Sequence, residues 1–465
     1  MGIKNNYKGL SVRKSLFSAV ILATGLGLVS PQAQSSVYIS ADNQDLRNSL
    51  NVLVDAGLIN TPLQQLPMPW RAILLELDTI DTQQLNDTQQ LALLQVRHYL
   101  RNAQSGPQTY LKLQASSEAP WVNRFGRSVQ ERGSLSVARH FKGEHFAARL
   151  QINHRWDPYE DDNEQTLDGS YLAYNFGDVS LSLDAQPLWW GPAQHSSLLM
   201  STNARPLTKL RFDYSPDFAP IGLNPLHIST FVGYNETRLG NINVSREVIG
   251  LRAATQLQWG LQAGVSAVHQ SAVHQTSKTV VNSAIPDNTM VSLDLRKGWH
   301  WQQHHFAAYA EVGFDGQLEE GENPAFTVGG EWQFNASIFS AQQMRHTLVA
   351  EYTDTESRNF YQRLPRVSTQ PFYQHYQRNL GSSFAPDSRT LSLSYRLFAA
   401  DGSGWTAQLA YSSLADDSNQ TQALLQRSQP VFGGLLNIGF EYNDNERAGA
   451  NTDDIGARIS WEWRF

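Results

Sequence analysis

From about Gln108 to Phe465 apolar residues recur at every second position, and this periodicity governs what the chain can become. Val179, Leu181, Leu183 and Ala185 alternate with Ser180, Ser182, Asp184 and Gln186. Leu391, Leu393, Tyr395 and Leu397 alternate with Ser392, Ser394, Arg396 and Phe398. Ile455, Ala457, Ile459, Trp461 and Trp463 alternate with Gly456, Arg458, Ser460, Glu462 and Arg464. The polar face carries charges: Lys209, Arg211 and Asp213, then Asp294 and Arg296, then Arg458, Glu462 and Arg464. Such a face cannot line a dry sandwich core without a large desolvation cost. Alternation alone still admits either a soluble sheet facing water or a closed barrel with a wet interior.

Segments of about ten residues, apolar outward and polar inward and separated by turns, are the pattern of an outer-membrane barrel. About eighteen can be marked, from 108–116 to 454–465, among them 208–214, 289–297, 300–313, 421–428 and 431–442. The even count suits closure of a single-chain bacterial barrel. The short links Lys142-Gly143, Gly177-Asp178 and Ala400–Gly404 each join an even strand to an odd one. The long links 117–131, 157–167, 187–207, 270–288, 314–325 and 355–387 each join an odd strand to an even one. Short periplasmic turns and long external loops are what such barrels show. The last strand ends in Phe465, with aromatics two and four residues before it, an ending associated with barrels inserted by the outer-membrane assembly machinery.

The N-terminal region reads differently. Lys4, Lys8, Arg13 and Lys14 precede the apolar run Leu16 to Val29, the pattern of a secretory signal peptide over 1–34. Beyond it no run approaches the roughly 18 apolar residues of a helical span. Residues 35–105 predict a small bundle of three short helices. Leu46, Leu50, Leu53 and Val54 share a face, Asp42 is placed to cap the first helix, and Gly57 sits just past its end. The second runs through Trp70–Leu77 and the third follows Asn86. Sixty residues bury too little to stand alone, so the bundle should lean on something else. The reading is a mainly β chain, an antiparallel transmembrane barrel over 106–465 with the helical bundle on its periplasmic side.

Chemistry-bearing motifs are few. A net charge of −7 disfavours nucleic acid as a partner, and the absence of cysteine excludes thiolate chemistry. His195 beside Ser196 and Ser197 hints at a nucleophile, but no G-x-S-x-G elbow is present. His269, His274, His300, His304 and His305 read as strand or rim histidines rather than metal ligands, and no cofactor motif occurs. Asp157, Glu160, Asp161, Asp162 and Glu164 form an acidic loop without the glycine of an EF-hand. Trp189 and Trp190 in Pro187–Pro192 can stack on sugar rings, with Arg205 holding an anionic group, or can brace the loop and plug the barrel mouth. The 355–387 loop holds Arg358, Phe360, Tyr361, Arg363, Arg366, Phe372, Tyr373, Tyr376 and Arg378. Aromatics and guanidinium groups suit an acidic polysaccharide. They also suit a constriction loop folded into the lumen.

These motifs together resemble the Wzi family of capsule-assembly outer-membrane proteins. The likeness rests on Asp45-Leu46-Arg47 through Asp55-Ala56-Gly57-Leu58-Ile59 with Trp70. It rests also on Trp189-Trp190-Gly191-Pro192 through Ser201-Thr202-Asn203-Ala204-Arg205-Pro206, and on the terminal strand. The chain departs from the motif at Ala193, where glycine is expected, and at Thr202-Asn203, where an asparagine pair is expected. The resemblance implies an eighteen-stranded barrel in the outer membrane of a Gram-negative bacterium. It also implies a non-enzymatic role, binding exported capsular polysaccharide and helping to assemble it on the surface. Expected partners are that polysaccharide, outer-membrane lipid and lipopolysaccharide, and the assembly machinery. The alternative is a porin-like channel for small solutes.

Overall fold

The computed structural model describes residues 38–105, 108–120, 122–126, 129–159, 161–216, 225–239, 242–272, 287–316, 324–338, 343–356, 360–361, 373–447 and 450–464. The predicted signal peptide and Phe465 lie outside the described residues.

Three helices precede the strands. Asn43, rather than Asp42, caps α1 (Gln44–Asp55) by accepting the Leu46 N–H at 3.0 Å. Gly57 takes φ +71°, and the Gly57 and Leu58 N–H groups turn back to the Val54 and Leu53 carbonyls to end the helix. After α2 (Arg71–Thr79), a capping box of Asn86 and Gln89 opens α3 (Asp87–Gln104). From Leu46 onward α1 is buried on every side. Its apolar face, with Leu46, Leu50 and Leu53, packs with Ala92, Leu93 and Val96 of α3. Each such leucine contributes about 1.5–3 kcal/mol. Its polar face enters the barrel, which is the support a module of this size requires.

Eighteen strands form the ring. The first nine are β1 (Thr109–Ser116), β2 (Glu131–Lys142), β3 (Phe146–Pro158), β4 (Gln165–Thr166 and Tyr171–Phe176), β5 (Val179–Asp184), β6 (Thr208–Tyr214), β7 (Leu226–Leu239), β8 (Ile242–Gln256) and β9 (Leu261–Gln270). There follow β10 (Asn288–Trp301), β11 (His304–Asp315), β12 (Ala325–Ala336), β13 (Met344–Asp354), β14 (Ser388–Ala399), β15 (Gly404–Leu414), β16 (Asn419–Val431), β17 (Gly434–Arg447) and β18 (Ala450–Arg464). Each pairs antiparallel with the next, both pieces of β4 pair with β3, and β18 returns to β1 with Glu462 opposite Lys112.

Closure decides what the alternation means. Leu210 and Phe212 face outward, 47% and 38% exposed, while Lys209, Arg211 and Asp213 between them are buried inside. Trp299, Phe306 and Trp332 stack on the outer face, the girdle expected where a barrel meets the headgroup region. Inside, Lys209 meets Asp184 at 2.6 Å, and Arg252 grips Asp294 through two bonds of 2.7 and 3.0 Å.

Two turns depart from the sequence reading. The β10–β11 turn falls at 302–303, because Trp299 and Trp301 continue the strand and pair across to Phe306 and His304. The β16–β17 turn falls at Phe432-Gly433, both with positive φ. Pro430 occupies a strand end opposite Leu435. All six long odd-to-even links are present, but 240–241, 415–418 and 448–449 are short odd-to-even links, and the even-to-odd link 215–225 is long. The helices sit at the even-to-odd end. The Asn86 amide donates to the Gln302 carbonyl at 2.8 Å, Thr88 to Gln303 at 3.0 Å, and Arg71 pairs with Asp178 at 2.8 Å.

Candidate functional site

The segment 185–207 between β5 and β6 runs into the lumen and forms an inner plug. Trp189-Trp190 pairs with Gln65-Leu66 of the head, and Trp190 bridges to Met200. Trp189 is 0% exposed, donates its Nε1–H to the Ala193 carbonyl at 3.0 Å and meets Phe125 edge-on. Arg47 of α1 lies 4.3 Å over Phe125 and donates to the Pro192 and Ala193 carbonyls. Trp190, 1% exposed, packs on Phe231 of β7. Gly191 takes φ +129°, and a Cβ there would meet Glu311 Oε2 at 2.7 Å, so only glycine fits.

Strand carboxylates hold the plug by its backbone. Glu351 receives the Gln194 and His195 N–H groups, and Glu311 receives Leu198 N–H at 3.3 Å. On the helix side, Asp55 of α1 makes a buried two-bond pair with Arg296, at 2.5 and 3.0 Å. His195 bonds neither Ser196 nor Ser197; its ring nitrogens meet Ser392 and Ser394 hydroxyls at 2.7 and 2.9 Å. Burial, aided by the Arg124 charge, pushes its pKa down to about 3. The imidazole is therefore neutral, and its 3.5 Å approach to Glu351 is not an ion pair. Ser196 bonds Ser382, and Ser197 bonds the Trp190 carbonyl, so each hydroxyl serves the plug.

The sequence-predicted ligands fall into three groups. Trp189, Trp190, Tyr361 and Tyr373 are buried with no ring face open to a sugar, so they brace the plug. The Tyr361 hydroxyl donates to the Leu198 carbonyl at 2.7 Å and Tyr373 to Leu199 at 2.8 Å, with the two rings stacked. Thus the described part of the 355–387 loop folds inward. Arg205 is held by Asp168 at 2.8 Å and Asp161 at 3.1 Å and lies 4.4 Å over the Tyr376 ring. Asp161 is shared with Arg155, so the acidic loop, expected to be solvated, sends one buried carboxylate inward. Arg378 donates to the Pro120 carbonyl at 2.9 Å and lines a cleft. Arg358, Arg363, Arg366 and Phe372 lie outside the described residues, as do Glu160 and His274.

That cleft is the site the motif reading missed. It opens at the odd-to-even end, encloses about 240 Å³ and is bounded by the plug, by 374–386 and by β15–β17. Asn203 Oδ1, Asn379 Nδ2, Ser383 Oγ and Gln422 Oε1 are buried on its walls without a protein partner. Phe384 and Val122 supply apolar surface beside them. Buried polar atoms are ordinarily paired, so these four offer hydrogen bonds to whatever enters. The signal was present as amides and hydroxyls, not charges, at the inward positions Ser412, Gln420, Gln422 and Asn443. Among the described residues no cluster of three metal-ligating side chains occurs.

A closed ring with an apolar exterior, a charged interior and an internal plug defines an outer-membrane β-barrel with an occluded lumen. Residues 102–240 match the family model described as capsule assembly protein Wzi. A Klebsiella pneumoniae protein, described as an uncharacterized 55.8 kDa protein in the cps region, is 28% identical over 204 residues. That match covers 43% of this chain and 40% of the relative, so it spans less than half of either. The solved structure of Escherichia coli Wzi aligns with a TM-score of 0.71 at 19% identity, covering 92% of this chain and 99% of that one. That protein is described as an outer-membrane protein involved in group 1 capsule assembly and a carbohydrate-binding β-barrel. Over residues 102–240 the present chain is thus similar to the Wzi capsule-assembly family, and nearly all of it shares the fold of the solved Wzi barrel.

Proposed function

We propose that this chain is a non-enzymatic, carbohydrate-binding barrel that takes part in capsule assembly, holding exported polysaccharide at the odd-to-even rim. The observation that carries this is the rim cleft, where four unmet polar atoms and the Phe384 ring line one cavity. Sugars present hydroxyls that both donate and accept, and apolar ring faces that settle on aromatic surface. Weak contacts of this kind add up along a repeating polymer. In this reading Arg378 touches ligand directly, and Arg358, Arg363, Arg366 and Phe372, of the same loop in sequence, also contribute to binding. Trp189, Trp190, Arg205, Tyr361, Tyr373 and Tyr376 shape it from beneath. The rim faces outward from the cell and the helical head lies in the periplasm.

The plug favours holding over conducting, since it obstructs the lumen that a porin leaves open. Binding of capsular polysaccharide to the refolded mature chain in detergent, compared with Asn379→Ala/Gln422→Ala, tests the proposal. Loss of two hydrogen bonds predicts at least about tenfold weaker binding. Undiminished binding by a correctly assembled double variant would overturn the cleft as the site. Sustained single-channel conductance in planar bilayers would instead favour the porin reading.

A further inference from the structure

A second cavity, of about 500 Å³, lies inside the barrel between the helical head and the wall made by β1–β4 and β14–β18. It extends from Lys142 and Ser428, near the helices, to Arg124, on the link between β1 and β2. Eight lysines and arginines line it against five aspartates and glutamates. Several cations are matched: Arg155 by Glu131 at 2.9 Å, Arg205 by Asp168 at 2.8 Å and Arg396 by Asp45 at 2.7 Å.

Arg124 is not matched. It is 7% exposed, and its Nε and Nη2 have no hydrogen-bond partner. Its backbone is fixed, because the Thr202 hydroxyl donates to its carbonyl at 2.8 Å. The neighbouring Asn123 amide bonds the Val129 and Asn203 carbonyls at 3.2 Å each. Burial and the nearby charge of Arg458 lower the Arg124 pKa to about 9, which still leaves it a cation at neutral pH. Arg458 points into the same cavity, where it donates to the Gln426 side chain at 2.5 Å. An enclosed cation beside a second cation is costly unless an anion joins them.

We propose that Arg124 and Arg458 together bind an oxyanion, a phosphate or carboxylate group, inside the lumen. Guanidinium groups pair with both through parallel N–H bonds. Both arginines line this cavity and neither lines the rim cleft, so the site does not depend on the polysaccharide reading.

Calorimetric titration of the full mature chain in detergent, at fixed ionic strength, tests this with inorganic phosphate and with glucuronate. The expected result is one saturable site per barrel for at least one probe, weakened at least tenfold in Arg124→Gln and in Arg458→Gln. The preferred probe distinguishes a phosphate source from a sugar carboxylate. Arg458 is the less buried of the pair, so Arg458→Gln decides the matter if Arg124→Gln fails to assemble. Absence of saturable binding by both probes, or variants that titrate like the unaltered chain, would overturn the site.

Discussion

The barrel wall has two sectors that share one periodicity and use it differently. Along β5–β13 the inward positions carry many charges, several of them matched at close range, as in Lys209–Asp184, Arg252–Asp294 and Arg296–Asp55. Here α1 and the plug fill the interior. Along β15–β18 the inward positions are mainly amides and hydroxyls, and both cavities border this sector. Matched charges fix neighbouring elements in one arrangement because separating them strands an ion in a poor solvent. Unmatched amides carry a smaller penalty and leave room for water or ligand. The first sector therefore positions the plug, and the second offers binding capacity.

The contrast can be broken most severely at the head. Arg296→Ala leaves Asp55 buried without its partner and should cost about 3–5 kcal/mol. Protease susceptibility of the helices in the assembled barrel would report it, and a change much below 1 kcal/mol would deny the first sector its anchoring role. Gly191→Ala should cost about 1–3 kcal/mol, from a strained φ and the approach to Glu311. The check is a lower unfolding midpoint with the strand content unchanged by circular dichroism. Gln422→Ala, in the second sector, removes a bond to Asn443 at 3.0 Å and should cost about 1 kcal/mol of stability. A stability loss there as large as at Arg296 would erase the distinction between the sectors. Arg71→Ala, at the half-exposed pair with Asp178, should change stability by no more than about 0.5 kcal/mol in a denaturant titration.

Much of this architecture was legible because lipid imposes a strict two-residue rhythm on every strand. The segments 208–214 and 344–354 coincide with β6 and β13, and the other predicted strands each find a counterpart. The head was legible from helical spacing and from Gly57, although Asn43 took the capping role expected of Asp42. The interior was legible only as an alternative, with a bracing Trp189-Trp190 segment and an inward 355–387 loop weighed beside ligand contact. Periodicity is silent about whether a loop turns toward water or toward the lumen, so Trp189, Tyr361 and Tyr373 carried the same signal as surface aromatics. The hydrogen bonds from Tyr361 and Tyr373 to plug carbonyls are long-range contacts that no local pattern announces. The rim cleft escaped notice for a related reason. Asn379 and Gln422 are ordinary residues individually, and only closure brings loop and strand together.

The seam between β18 and β1 has a consequence for biogenesis. A cylinder that already holds a helix and an inner segment cannot be threaded after it is sealed. Head, plug and most of the wall all precede β18 in the chain, so the contents can be gathered before the sealing edge exists. A chain stalled short of its final hairpin would then be an open, loaded trough, its greasy side ready for lipid but its cargo still able to escape.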